Sequence, residues 1–118
     1  MRQPAITDEL LELMAEKFHM LSDPTWLAIL RSLMPDRVMN VTELVTATAR
    51  GVANVSKHLK LLTAAGLIAR QKQGPFVLYR LDDPIIAKMC KMVCDSLQRE
   101  LEAQVKRGRR LLQDPKRG

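Results

Sequence analysis

The chain has 118 residues, 47% hydrophobic and only 3% aromatic, which suits one compact aliphatic core of the kind helices pack. A formal net charge of +6 favours a polyanionic partner, and two cysteines are too few for a disulfide-framework fold. No apolar run approaches the roughly 20 residues needed to span a bilayer, and no signal peptide is evident, so a cytoplasmic protein with reduced thiols is expected.

The distribution of charge says more than its sum. Residues 1–43 carry four basic and seven acidic side chains, and residues 82–102 carry three and five. Between them, residues 44–81 hold Arg50, Lys57, Lys60, Arg70, Lys72 and Arg80 with no acid at all. A solvated face ordinarily mixes signs, so this cationic middle marks the candidate contact surface.

In chain order, residues 8–21 show helical spacing, with Leu10, Leu11, Met14, Phe18 and Leu21 on one stripe. Asp23-Pro24 reads as an N-cap followed by proline at the first helical position. It opens a second helix through Trp26, Leu27, Ile29, Leu30 and Leu33 that Pro35 stops. Thr42 to Thr48 read as a short third helix with Glu43 in its first turn. Ala49-Arg50-Gly51 is a tight connection in which the glycine is expected to take a backbone angle closed to other residues. A fourth helix runs from about Val52 to Ala65, with Gly66 as its C-cap. Strands Leu67–Lys72 and Phe76–Leu81 flank a Gly74-Pro75 turn, and Asp83-Pro84 opens a long last helix over 84–112. Residues 113–118 form a basic tail. The prediction is a mainly α chain with a small β-hairpin: a single winged helix-turn-helix domain over 1–118, with the helix-turn-helix at 41–65 and the wing at 67–81.

On the fourth helix, at about 100° per residue, Val52, Val55, Leu59 and Leu62 form the expected buried stripe. Ala53, Lys57, Lys60 and Ala64 lie opposite, with Asn54 and Ser56 at the borders. A helix entering the major groove needs small side chains near its start, hydrogen-bonding groups for base edges and lysines for phosphates. The expected DNA contacts are therefore Arg50, Ala53, Asn54, Ser56, Lys57 and Lys60, with Lys72 and Gln73 on the wing. Leu61 breaks the pattern and is expected beneath the hairpin. His58 flanks the stripe, as either a hydrogen-bonded packing residue or a contact or switch residue.

The stretches Leu21-Ser22-Asp23-Pro24-Thr25, Val41-Thr42-Glu43-Leu44, Val55-Ser56-Lys57-His58-Leu59-Lys60-Leu61-Leu62, Ala65-Gly66-Leu67-Ile68 and Tyr79-Arg80-Leu81 resemble the ArsR/SmtB family of bacterial repressors. The resemblance covers about residues 10–100. It implies a homodimer built on the first and last helices (8–21 and 84–112), a double-stranded DNA operator, and repression relieved by an inducer. It places base contacts on Ala53, Ser56 and Lys57. The chain departs from the family pattern at Gly51, Val52, Ala53, Trp26 and Pro75, and Trp26 is read as a packing residue.

Many members of that family sense metals. Here the third helix has no cysteine, the last helix has no histidine, and the chain has only His19 and His58, which argues against a tetrahedral zinc set. Cys90 and Cys94 are four apart on the last helix and share a face. Their β-carbons would stand about 5–6 Å apart, against the roughly 3.8 Å a disulfide prefers. Three readings stay open: packing in an apolar stripe, a grip on arsenite or another soft metalloid, and thiol-redox sensing. Copper held by Met89 and Met92 is the weaker reading of methionines at helical spacing. The rival to a repressor is an architectural or protein-interaction module without a specific operator. No phosphate loop, catalytic carboxylate pair or activated nucleophile points to an enzyme, and the aromatic platforms of RNA binders are nearly lacking.

Overall fold

The computed structural model describes residues 5–113. It has five helices, α1 (Asp8–Leu21), α2 (Pro24–Leu33), α3 (Val41–Thr48), α4 (Val52–Ala64) and α5 (Pro84–Gln113), and two strands, β1 (Ile68–Gln73) and β2 (Phe76–Leu81). The chain divides into two compact units, one ending at Asp83 and the other beginning at Pro84. Among the described residues no helix is long and apolar enough to cross a membrane. The basic tail lies outside the described residues beyond Gln113.

Local chemistry explains most of the boundaries. Thr7 caps α1 through its hydroxyl, which accepts from the Leu10 N–H at 3.1 Å. Asp23 caps α2 by accepting from the Thr25 N–H at 2.7 Å, with Pro24 in the first turn. Helix α3 begins one residue earlier than its sequence pattern suggests, because Asn40 and Glu43 form a reciprocal capping box at 2.8 and 3.0 Å. Such a box satisfies two helix-end N–H groups at once. Gly66, at φ +77, takes the left-handed turn that ends α4.

The core of the first unit is aliphatic, as the composition requires. Trp26, Ile29, Leu30 and Leu33 from α2 meet Leu44 from α3 and Val55, Leu59 and Leu62 from α4, all buried, with Leu67, Ile68 and Tyr79 closing the hairpin side. Burying each large aliphatic side chain stabilises by about 1.5–3 kcal/mol. The hairpin is antiparallel, with Ile68 opposite Leu81 and Gln73 opposite Phe76. Its base is held a second time. Met39 N–H donates to the Tyr79 carbonyl at 3.0 Å and Tyr79 N–H donates to the Met39 carbonyl at 2.8 Å. The segment entering α3 thus grips the free edge of β2 and ties the wing to the helix-turn-helix.

Three sequence expectations are corrected here. The left-handed residue of the α3–α4 turn is Ala49, at φ 54 and ψ 31, while Gly51 sits in the extended region at φ −64 and ψ 152. The chain reverses at the C-cap of α3, and by Gly51 it is already the N-cap of α4. Val52 is 61% exposed, because a side chain in the first turn leans toward the helix start, beyond the packed seam. Leu61 is 52% exposed. It lies about 200° around the helix from Leu59, and the hairpin does not cover it.

Alanine in the left-handed region carries a steric cost of about 1–2 kcal/mol. Replacing it with glycine removes that cost and adds unfolded-state entropy. Ala49→Gly is therefore expected to stabilise the protein by about 1 kcal/mol, read as a higher urea midpoint at unchanged slope. A lower midpoint would contradict the assignment of strain to Ala49.

The second unit is α5, whose 30 residues extend about 45 Å. Its described side chains are mostly exposed and Ile86 is buried. Val93, Leu97, Leu101 and Val105 recur every four residues and all are more than half exposed. Helix α1 has no buried residue and leaves Leu10, Leu11, Leu13, Met14 and Phe18 accessible.

Candidate nucleic-acid interface

Helix α4 is set by its apolar seam. With Val55, Leu59 and Leu62 turned inward, helical geometry obliges Ala53, Ser56, Lys57, Lys60 and Leu61 to share the outer side, where they line one shallow groove. No carboxylate stands on this helix. Its face is a small methyl, a hydroxyl, two ammonium groups and an exposed leucine. Leu61, expected beneath the hairpin, instead joins this face as an exposed apolar side chain.

The other sequence candidates fall in different places. Arg50 is half-buried in the turn, where its Nη1 donates to the Thr48 carbonyl at 3.1 Å. It lines a second groove with Pro24, Leu27, Ala28 and Arg31. Sequence reasoning did not single out Arg31, although its place four residues after Leu27, off the buried stripe of α2, was a usable signal. Asn54 is exposed, and its Nδ2 donates to Thr25 Oγ1 of α2 at 3.1 Å. Lys72 and Gln73 are exposed at the end of β1 beside the Gly74 turn, where φ is +62.

His58 uses both ring nitrogens within the fold. Its Nδ1 lies 2.9 Å from the Asn54 carbonyl and its Nε2 lies 3.0 Å from Asp23 Oδ2, with the side chain 13% exposed. The hydrogen bond to His58, followed by the one from the Thr25 N–H, holds the Asp23 carboxyl below its usual range.

On α5, Cys90 is half-buried and Cys94 exposed, and both are free thiols. Burial pushes the Cys90 thiol up, which works against a standing thiolate. Among the described residues no three His, Cys, Asp or Glu side chains converge as a metal set would. The two thiols therefore fit a soft ligand only as a partial donor set.

A short helix, a tight turn, an outward-facing second helix and an edge-anchored hairpin together define a winged helix-turn-helix protein. A helix-turn-helix domain family matches residues 21–71. The chain is 35% identical to the arsenical resistance operon repressor of Escherichia coli over 85 residues, covering 72% of this chain and 73% of that one. It is 33% identical over 84 residues to the transcriptional regulator KmtR of Mycobacterium tuberculosis, covering 71% of this chain and 64% of KmtR, a little under two thirds of that protein's length. The solution structure of a homodimeric winged helix-turn-helix DNA-binding domain from Mycobacterium bovis superimposes with a TM-score of 0.73 at 25% identity, over 86% of this chain and 93% of that one. The chain belongs to the ArsR/SmtB family of winged helix-turn-helix transcriptional repressors, a family of regulators rather than enzymes.

Proposed function

We propose that this protein represses transcription in the cytoplasm as a homodimer that reads double-stranded DNA with α4 and releases it when an inducer engages α5. The observation that carries the reading is the outward face of α4: Ala53, Ser56, Lys57 and Lys60 accessible together, with no acidic residue from Leu44 to Leu81. Ser56 and Lys57 supply hydrogen bonds to base edges, Ala53 allows close approach, and Lys60 meets phosphate. Arg50, Lys72 and Gln73 add flanking contacts, and Asn54 acts through Thr25 to hold the helix. The uncovered stripes of α1 and α5 support a second copy as their occupant, as does the homodimeric Mycobacterium bovis domain. Two α4 helices would then enter successive major grooves roughly 34 Å apart.

For the inducer, Cys90 and Cys94 are the only thiols, four apart on one face. They favour a soft metalloid such as arsenite over zinc, and a similar protein is named for arsenical resistance. Thiols of the second copy would complete the donor set.

Fluorescence anisotropy with the duplex upstream of its own gene, against a scrambled duplex, tests the whole reading. Selective binding is expected. Lys57→Ala should weaken it by about tenfold and relax specificity at one position, while Lys60→Ala should reduce the salt slope by about one. Arsenite should release the wild type but not Cys90→Ser or Cys94→Ser. Release by an oxidant instead of arsenite would favour thiol-redox sensing, and no preference over the scrambled duplex would favour an architectural module.

A further inference from the structure

The polar network behind α4 has an unusual proton requirement. His58 presents both ring nitrogens to acceptors: Nδ1 to the Asn54 carbonyl at 2.9 Å and Nε2 to Asp23 Oδ2 at 3.0 Å. A neutral imidazole carries one N–H. Either neutral tautomer therefore turns a lone pair on an oxygen about 3 Å away, and only the imidazolium donates to both. The other atoms of the network are already committed. Asp23 Oδ1 accepts from the Thr25 N–H at 2.7 Å, and Thr25 Oγ1 accepts from Asn54 Nδ2 at 3.1 Å. The loop closes from the start of α2 through two successive turns of α4, on residues flanking Ser56 and Lys57.

Resting on the DNA-binding reading above, we propose that His58 and Asp23 are positioning residues of the reading helix: the protonated imidazole ties α4 to the start of α2 and holds the Ser56–Lys57 face in its binding orientation. Loss of the proton leaves one of the two acceptors, Asp23 or the Asn54 carbonyl, facing a ring lone pair, and the loosened arrangement appears as weaker affinity. Asp23 is the charged group facing His58 from α2. Among the described residues no other carboxylate lies within ion-pair distance of it, Glu43 of α3 is taken up in its cap, and β1 and β2 carry no acid. Asp23 stays charged through the neutral range, since its carboxyl is held below its ordinary value. The arrangement is therefore complete only while the imidazole carries both N–H groups.

The test compares affinity for the upstream duplex from about pH 6 to about pH 8 in wild type, His58→Gln and Asp23→Asn. Asparagine keeps the α2 cap while removing the charge. Wild-type affinity should fall roughly threefold to tenfold over that range, and both variants should be nearly flat. A flat wild-type profile overturns the proposal. So does an Asp23→Asn profile as steep as wild type, which would mean the imidazolium attracts DNA directly. The free protein gives a second readout, in which the α4 backbone amide resonances should move with pH over the same range in wild type and not in Asp23→Asn. If no duplex binds at any pH, the DNA reading falls, and the amide resonances alone still decide whether the proton positions α4.

Discussion

Leu97→Glu is expected to convert the protein to a monomer and to weaken binding to a two-half-site duplex by about 10²–10⁴-fold. Leu97 is 52% exposed in the middle of the Val93, Leu97, Leu101 and Val105 stripe. A symmetric pair of subunits would bury this position twice, once from each copy. A carboxylate there would be taken out of water with no cation to meet it, and an unpaired buried charge is strongly destabilising. Without the second copy, two modest half-site contacts no longer act as one, which is where the loss of affinity arises. Arg99→Ala, about 200° around the helix from Leu97, should leave assembly intact. Light scattering after size exclusion, with anisotropy on the same samples, reads both effects. A Leu97→Glu protein that remains a dimer would remove the α5 stripe from the interface.

Trp26→Ala should cost about 3–5 kcal/mol, a large fraction of the roughly 5–15 kcal/mol that holds a domain together. Trp26 is fully buried in the core of the first unit, and truncation would leave a cavity its neighbours can fill only in part. The melting temperature should fall by more than about 10 °C. Trp26→Phe should cost far less, for a specific reason. The Trp26 indole N–H is buried without a hydrogen-bond partner among the described residues, and a buried unpaired donor carries a desolvation penalty of about 1–3 kcal/mol. Phenylalanine gives up some apolar contact but removes that donor. Circular dichroism melts of the three proteins measure the differences. If Trp26→Phe is as damaging as Trp26→Ala, the N–H must have a partner.

Much of this fold is local and legible in the sequence. Asp23-Pro24 starts a helix because an acceptor side chain and a preset proline angle act within three residues. Gly66 ends one because its backbone can turn left-handed without a β-carbon. The hairpin turn at Gly74-Pro75 and the unbroken cationic run from Arg50 to Arg80 are of the same kind. The outward set on α4 followed from periodicity, since burial of Val55, Leu59 and Leu62 leaves Lys57 and Lys60 no other side.

The remainder depended on neighbours distant in sequence. Ala49, and not Gly51, is left-handed because the chain must reverse immediately after Thr48 for α4 to pack, and a close-packed core overrides residue preference at one turn position. Leu61 looked misplaced in a cationic face until the hairpin's position left it uncovered. The Met39–Tyr79 pairing spans 40 residues and leaves no pattern in either segment. The network of His58 with Asp23 joins residues 35 apart, so its sequence signs were an ordinary helix cap and a lone flanking histidine. Only folding brings the second acceptor to that imidazole, because hydrogen bonds act at about 3 Å and spacing along a chain does not set distances between elements.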